Sequence, residues 1–175
     1  MAKPKHSIAR LREVLDYKPR KGIFVWKIHT KCQGRFINPG DRAGSTPTGR
    51  SDDRIGIGFE GRQYRAHILA YAFMKGRWPP KGKLVDHHDG NGANNKRTNL
   101  REATRTQNRW NTRRLRKSNS SGKAGVSWNS HNQKWLSQIV VHGKCHENKL
   151  FIDKDKAIAH RLMLEKKYFG EYAPQ

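Results

Sequence analysis

The sequence predicts an α+β protein made of two modules. Short runs rich in β-branched and aromatic residues, such as GIFVWKI at 22–28, alternate with runs whose apolar residues recur at helical spacing, such as HILAYAFMKGRW at 67–78. A polar connector, SNSSGK at 118–123, separates two parts of the 175-residue chain. We therefore predict a first domain over residues 1–117, a linker over 118–123 and a smaller second domain over 124–175.

The first domain is predicted to consist of short elements separated by turns. Glycine, proline and aspartate clusters mark the breaks, and polar residues ahead of apolar faces mark the helix starts. Before residue 80 we expect a helix over 7–16 capped by Ser7, a strand over 22–28, a loop over 38–53, two strands within 54–67 around the turn Glu60-Gly61, and a helix over 67–78. Beyond it we expect a strand over 83–90 that runs into a turn, an irregular loop over 90–99 and a helix over 99–117.

The second domain has a simpler predicted pattern of three strands and one helix. The strands are expected over 124–129, 134–143 and 144–152, and the connector before them is expected to be flexible. The helix is expected over 153–170, with Asp153 as its N-cap and Gly170 as its end. Its apolar positions include Ala157, Leu162, Leu164 and Phe169.

The charge of the chain indicates a polyanionic partner. Lysine and arginine number 37 against 14 aspartates and glutamates, which gives a formal charge of +23 and an isoelectric point near 10.6. Such a charge favours nucleic acid as the partner. No run of ten apolar residues exists and the start of the sequence lacks a signal peptide's apolar core, so we expect a soluble, cytoplasmic protein without a membrane partner.

The two cysteines exclude several kinds of site. Cys32 and Cys145 are far apart and no CxxC motif is present, which excludes a disulfide scaffold and a four-cysteine zinc site. His142, Cys145 and His146 resemble half of a zinc site, but the sequence offers no second half. No zinc is therefore expected.

A polar constellation around residue 87 predicts a reaction. Asp86 and His87 stand where a strand is predicted to end, Asn99 follows His87 by 12 positions, and Asn108 follows Asn99 by 9 positions. A hairpin or Ω-type loop packed on a helix would bring Asp86 and Asn108 together. A carboxylate and an amide oxygen are hard ligands suited to Mg²⁺, with Mn²⁺ possible, and a histidine suits a general base at neutral pH. This set of groups is typical of phosphodiester hydrolysis.

The segments that carry this constellation resemble a known family. They are YRAHILAYAF, VDHHDGN and NNKRTNLREATRTQN, followed later by SGKAGVSWN, KWLSQIVVHGK and YFGEYA. Together they resemble the HNH endonucleases of the phage and intron-encoded homing type, which carry a C-terminal AP2/ERF-like DNA-binding domain. The resemblance implies a ββα-metal nuclease motif with its core over residues 64–112, and a three-stranded sheet with one packed helix after it.

The resemblance also implies residue roles. His87 matches the general base, and Asp86 and Asn108 match the metal ligands. Asn99 matches the asparagine that pins the loop and orients the base, and Asn95 is a second candidate for that role. Three further residues have open or lesser roles: His67 packs against the loop or contacts a phosphate, His88 is expected to be a bystander, and Asp89 is expected to form a turn.

Two groups of residues are predicted to contact DNA. The first is a basic cluster expected to contact phosphates: Arg105, Arg109, Arg113, Arg114, Arg116 and Lys117. The second is expected on the strands of the AP2-like domain: Ser127, Trp128, Asn129, Lys134, Trp135 and Gln138. Both tryptophans are equally well explained as buried aromatics.

The sequence thus predicts a metal-dependent endonuclease that hydrolyses double-stranded DNA, of the homing type and from a phage or mobile element. We expect it to act as a monomer or as a homodimer on DNA. The alternative is a non-catalytic, sequence-specific DNA-binding regulator. An RNA-binding protein is disfavoured, because the aromatic platforms expected for single strands are lacking.

Overall fold

The chain divides into two compact units, Met1–Thr104 and Arg105–Gln175. The structure is a computed structural model that describes residues 6–32, 35–46, 53–111, 115 and 117–174. Both units combine helices with small antiparallel sheets, in agreement with the predicted α+β class. The predicted division lay at 118–123, whereas the compact units divide after Thr104, so Arg105 and Arg109 belong to the second unit.

The first unit consists of small sheets and two helices. In chain order the elements are α1 (Ile8–Val14), β1 (Leu15–Lys18), β2 (Ile23–Trp26), β3 (Thr30–Cys32), β4 (Arg35–Ile37), β5 (Arg42–Ala43), β6 (Gly56–Phe59), β7 (Arg62–Arg65), α2 (Ala66–Lys75), β8 (Lys83–His87), a 3-10 turn (Arg97–Asn99) and β9 (Leu100–Thr104). Strands β1, β2 and β5 form one sheet, and β3–β4, β6–β7 and β8–β9 form two-stranded antiparallel pairs. The predicted loop over 38–53 therefore contains the short strand β5.

Helix α1 begins as predicted but ends earlier. The Ser7 Oγ accepts a hydrogen bond from the Arg10 backbone N–H at 3.1 Å, which confirms Ser7 as the N-cap. The chain turns extended at Leu15, with φ −125° and ψ 145°, and enters β1. Because alternate residues of β1 face the core, Leu15 and Tyr17 become buried there, and this burial favours the strand over one more helical turn.

Helix α2 and the hairpin before it agree with the prediction. Strands β6 and β7 pair around Glu60 and Gly61, whose φ values of 44° and 71° form a tight turn. Helix α2 ends at Gly76 in the left-handed region, with φ 66°. One hydrophobic core holds α1, α2 and these strands, and Ala93 and Leu100 pack against it. The loop between β8 and β9 is thereby attached to the core of the unit.

The prediction of a helix from residue 99 was wrong for its first part. Residues 100–104 form β9, which pairs antiparallel with β8, and the helix starts only afterwards. The sequence LREAT has no strong strand composition, so pairing with β8 decides its conformation. Ala103 is fully buried as a result.

The second unit contains a three-stranded antiparallel sheet and a long helix, as predicted. Its elements are α3 (Arg105–Trp110), β10 (Val126–Asn129), β11 (Lys134–Val141), β12 (Lys144–Phe151), α4 (Lys154–Phe169) and a 3-10 turn (Gly170–Tyr172). The sheet has the order β10-β11-β12 and packs on α4. Asp153 caps α4, since its Oδ1 accepts from the backbone N–H groups of Asp155 and Lys156 at 2.6 and 3.1 Å. Among the described residues, no helix is long and apolar enough to cross a membrane.

The core of the second unit includes a residue from α3. Ile139, Val141, Leu164 and Phe169 form the buried cluster, and the Trp110 ring stacks on Phe169 with centroids 4.8 Å apart. This contact explains why α3 belongs to the second unit. Three of the predicted apolar positions on α4 are buried, namely Ala157, Leu164 and Phe169. The fourth, Leu162, is 48% exposed.

The connector at 118–123 is held in place, contrary to the predicted flexibility. Ser121 is buried, and its hydroxyl donates to the Val126 carbonyl at 2.7 Å. The Asn119 Oδ1 accepts from the Gly122 N–H at 2.7 Å. These bonds tie the connector to the first strand of the sheet.

Candidate functional site

Asp86 and His87 lie at the end of β8, and both are buried, with exposed fractions of 6% and 5%. The β8–β9 register places Arg101 directly opposite Asp86. The Asp86 Oδ2 accepts a hydrogen bond from Arg101 Nε at 3.0 Å, and Arg101 Nη2 lies 3.0 Å from the same oxygen as an ion-pair contact. Arg101 therefore fixes the orientation of the carboxylate. Sequence analysis missed this partner, because its position becomes evident only once the strand register is known.

The His87 ring is held by Asn95. The Nε2 atom of His87 lies 3.0 Å from the Asn95 Oδ1, and Asn95 is almost fully buried. Burial lowers the pKa of His87, and the hydrogen bond to Asn95 opposes this effect only in part. The imidazole is consequently neutral at neutral pH, which is the form a general base requires.

Asn99 pins the loop that joins β8 to β9. Its Oδ1 accepts from the Asp89 N–H at 3.0 Å, and its Nδ2 donates to the Asp89 carboxylate at 2.9 Å and to the Asn94 carbonyl at 2.7 Å. Its own carbonyl accepts from the His88 N–H at 2.8 Å. Sequence analysis expected one asparagine both to hold the loop and to orient the His87 ring. In the structure Asn99 makes the loop contacts, and Asn95 makes the contact with the ring.

Asp89 forms a turn within the same loop. Its Oδ1 accepts from the Asn91 N–H at 2.8 Å, and Gly90 between them has φ 72°. Partial burial acts to raise the pKa of Asp89, but hydrogen bonds from Asn94, from the Asn91 backbone and from Asn99 outweigh it and lower the pKa. These contacts agree with the predicted turn-forming role.

His67 packs against the proposed base. It lies at the start of α2, is 6% exposed, and its ring meets the His87 ring edge-on with centroids 5.0 Å apart. The choice between the two roles left open for His67 stays a prediction. His88 is half-buried and takes part in the loop through its backbone.

The predicted phosphate-contacting cluster is described only in part. Asn108 lies half-buried on α3, in the second unit, and its role as a metal ligand stays a prediction. Arg105, Arg109 and Lys117 are exposed, as a phosphate-contacting role requires. Arg113, Arg114 and Arg116 lie outside the described residues.

The predicted DNA-contacting residues of the sheet fall on two faces. Ser127, Asn129, Lys134 and Gln138 share one face by strand alternation and register. The tryptophans lie on the other face, which packs on α4. There the Lys154 Nζ lies over the Trp135 ring at 5.9 Å, and the rings of Trp128 and Trp135 meet edge-on at 5.3 Å. We name the face with Ser127 and Gln138 the open face of the sheet.

The described residues offer limited means of holding a metal ion. No three histidine, cysteine, aspartate or glutamate side chains within the described ranges cluster as a metal site. The Asp86 carboxylate has about four lone-pair positions, so the hydrogen bond from Arg101 leaves acceptor capacity. A carboxylate with this capacity fits a hard divalent ion such as Mg²⁺ better than a soft one.

Comparison with known proteins identifies the segment that holds this site. Residues 64–110 match the model of a family described as HNH endonuclease. The segment contains Asp86, His87, Asn95, Asn99 and Asn108. Protein 3.8 of Escherichia phage T7 is 39% identical over 82 residues, which make up 47% of this chain and 66% of that protein.

Two further likenesses extend over more of the chain. The uncharacterized HNH endonuclease L560 of Acanthamoeba polyphaga mimivirus is 32% identical over 117 residues, or 67% of this chain and 59% of that protein. The matched regions therefore span less than two thirds of either relative. A solved structure described as DNA binding and cleavage by the HNH homing endonuclease I-HmuI is 23% identical, covers 89% of this chain and 81% of that one, and has a TM-score of 0.42.

Proposed function

We propose that the protein hydrolyses phosphodiester bonds of double-stranded DNA with the help of a divalent metal ion, since residues 64–110 match the model of the HNH endonuclease family. The observation that carries the proposal is the buried pair Asp86–His87 at the end of β8, with its ring and carboxylate each held by a hydrogen-bond partner. The charge of +23 supports a polyanionic substrate.

His87 is the proposed general base. Its neutral ring takes a proton from water, the water oxygen bonds to phosphorus, the bond from phosphorus to the 3′ oxygen breaks, and the 3′ oxygen takes up a proton from solvent water. The products are a 5′-phosphate and a 3′-hydroxyl. Burial supports this role, because it keeps the ring neutral and hence able to accept a proton.

Asp86 and Asn108 would hold the divalent ion, for which Mg²⁺ is the first candidate and Mn²⁺ the second. Both residues offer oxygen donors, the kind that Mg²⁺ prefers. When bound, the ion supplies electrostatic stabilisation of the charge that develops on the phosphate and the leaving oxygen. The chain itself contributes the orientation of Asp86, through the hydrogen bond and the ion pair with Arg101.

DNA would be held by the basic residues Arg105, Arg109 and Lys117 and by the open face of the sheet in the second unit. A three-stranded sheet with one helix packed on it supports an AP2/ERF-like module, which would read the major groove with its open face. The phage and viral relatives support a homing-type role in a phage or mobile element. The protein would act on DNA as a monomer or as a homodimer.

Cleavage of a pool of supercoiled plasmids with varied inserts tests the proposal. Wild type, His87→Ala and His29→Ala would be compared with Mg²⁺, with Mn²⁺ and with a chelator. His29 is the matched control, since it is an exposed histidine of the same unit that bonds Asn38. We expect nicked or linear product from wild type and His29→Ala with metal, and none from His87→Ala.

Either of two results would contradict the proposed nuclease mechanism. Product from His87→Ala at the wild-type rate would exclude His87 as the base. Tight duplex binding by all three proteins without any metal-dependent product would favour a non-catalytic DNA-binding regulator.

A further inference from the structure

A chain of buried contacts connects the N-terminal hairpin, formed by β1 and β2, to the proposed base His87. From it we infer that Asn95 and Tyr17 are positioning residues for His87: Asn95 selects the tautomer of the ring, and Tyr17 holds Asn95 in place. The inference rests on the proposed function, in which His87 accepts the proton. It adds a part of the chain that precedes the matched segment 64–110.

The orientation of the Asn95 amide follows from its two contacts. Its Nδ2 faces the Ala93 carbonyl at 3.4 Å, and its Oδ1 faces the His87 Nε2 at 3.0 Å. A carbonyl oxygen only accepts hydrogen bonds, so the amide nitrogen has to point at Ala93 and the amide oxygen at the ring.

The oxygen of Asn95 in turn determines the tautomer of His87. An acceptor that faces Nε2 requires a hydrogen on that atom. In a neutral imidazole the lone pair then resides on Nδ1. Asn95 therefore makes Nδ1 the basic nitrogen, and without it the ring would exchange between two tautomers, of which one has no lone pair at Nδ1.

Tyr17 fixes the backbone of Asn95 from the other side. Its hydroxyl donates to the Asn95 carbonyl at 2.7 Å, and its ring stacks on Phe24 with centroids 4.9 Å apart. Burial raises the pKa of Tyr17 to about 12, so the hydroxyl remains a donor at neutral pH.

The turn between β1 and β2 completes this attachment. The Arg97 N–H donates to the Pro19 carbonyl at 3.0 Å. Gly22 lies so close to the loop that a Cβ on it would come within 2.5 Å of the Lys96 nitrogen and 2.7 Å of the Asn95 carbonyl carbon. The hairpin thus touches the loop on both sides of the Asn95–Lys96 peptide bond.

The test combines ring nitrogen spectroscopy with kinetics on the full chain. The protein is labelled with 15N at histidine, and the His87 signals are identified by their absence from His87→Ala. Wild type should show one protonated ring nitrogen, Nε2, and one unprotonated, Nδ1. In Asn95→Ala the two signals should move towards each other. In Asn95→Asp the acceptor remains but the added negative charge raises the pKa of the ring, so at a pH where the ring of this variant is neutral the signals should keep the wild-type pattern.

The kinetic expectation separates positioning from binding. Asn95→Ala should lower kcat by about 10- to 100-fold, the range seen when a partner that orients a site histidine is lost, with KM for DNA unchanged. Asn95→Asp should recover most of that loss, and Tyr17→Phe should lower kcat less than Asn95→Ala. Tyr71→Phe is the matched control, since it also removes a hydroxyl donor of the first unit, to Glu102, and it should leave both kcat and the His87 signals unchanged.

The inference is overturned if Asn95→Ala leaves the tautomer pattern and kcat as in wild type. It is also overturned if Asn95→Asp lowers kcat as much as Asn95→Ala does. If Asn95→Ala does not fold, Asn95→Asp and Tyr17→Phe decide the question with the same two measurements. A wild type that cuts nothing would defeat the proposed function, whereas the nitrogen signals would still report whether Asn95 selects the tautomer.

Discussion

Arg101 lies opposite Asp86 across the β8–β9 ladder, donates a hydrogen bond from Nε to its Oδ2 at 3.0 Å and holds Nη2 at 3.0 Å from the same oxygen as an ion pair. Both side chains are largely withdrawn from solvent, with exposed fractions of 14% for Arg101 and 7% for Asp86. A buried carboxylate with such a partner is held in one orientation. Removal of the partner leaves an unpaired buried charge, which lowers the stability of the folded state. The pair therefore contributes to the stability of the first unit as well as to the candidate site.

Arg101→Ala should lower the free energy of unfolding by about 3–5 kcal/mol, because it leaves the Asp86 carboxylate buried without its partner. Urea denaturation followed by tryptophan fluorescence measures this change. Arg77→Ala is the matched control: Arg77 is paired with Glu102 on β9, but its side chain is 53% exposed, so we expect a loss below about 1 kcal/mol. Equal losses for the two variants would mean that the Asp86–Arg101 pair is no more important than a surface ion pair.

Gly22→Ala should destabilise the protein more than Gly61→Ala. Both glycines have φ near +70°, so the backbone strain of the substitution is similar, about 1 kcal/mol. Only at Gly22 would the new methyl group meet backbone atoms, those of Asn95 and Lys96, whereas nothing lies within 4 Å at Gly61. We expect an additional loss of about 1–3 kcal/mol for Gly22→Ala in urea denaturation. Equal values for both variants would contradict the close approach of the hairpin to the loop.

Local chemistry accounts for the parts of the fold that were predicted correctly. The cap at Ser7, the Glu60-Gly61 turn and the cap at Asp153 each depend on residues next to one another in sequence. Strand β9 could not be predicted in this way, because its conformation depends on pairing with β8. Propensity alone favoured a continuous helix through this segment.

The candidate site was predictable in its residue types but not in its contacts. The spacing of Asp86, His87 and Asn99 pointed to one polar loop, and the structure brings these three residues to that loop. Nothing in the spacing showed that Asn95 rather than Asn99 would be bonded to the His87 ring, or that Tyr17 would support it, because both contacts depend on how the N-terminal hairpin packs.

The stability contributed by Glu102 should be lost in acid. The hydrogen bond from the Tyr71 hydroxyl, together with Arg77, lowers the pKa of Glu102 below its ordinary 4.5. A carboxylate with a lowered pKa in the folded state stabilises that state above its unfolded pKa, and the contribution disappears as the pH falls through the folded pKa. The unfolding free energies of wild type and Glu102→Gln should thus differ most near neutral pH and converge below pH 4.5. Urea denaturation over a pH series measures this, and curves that stay parallel throughout would contradict it.

The two faces of the sheet in the second unit should respond differently to substitution. Gln138 lies on the open face, so Gln138→Ala should weaken DNA binding by about 1–3 kcal/mol if it reads a base, with the free energy of unfolding nearly unchanged. Trp135 lies on the face that packs on α4, under the Lys154 ammonium. Trp135→Ala should therefore lower the free energy of unfolding by about 2 kcal/mol, less than the 3–5 kcal/mol typical of a fully buried tryptophan because the ring is only half-buried. Fluorescence anisotropy with duplex DNA and urea denaturation measure the two quantities. If Trp135→Ala weakened binding without loss of stability while Gln138→Ala did the opposite, the face that packs on α4 would be the one that contacts DNA.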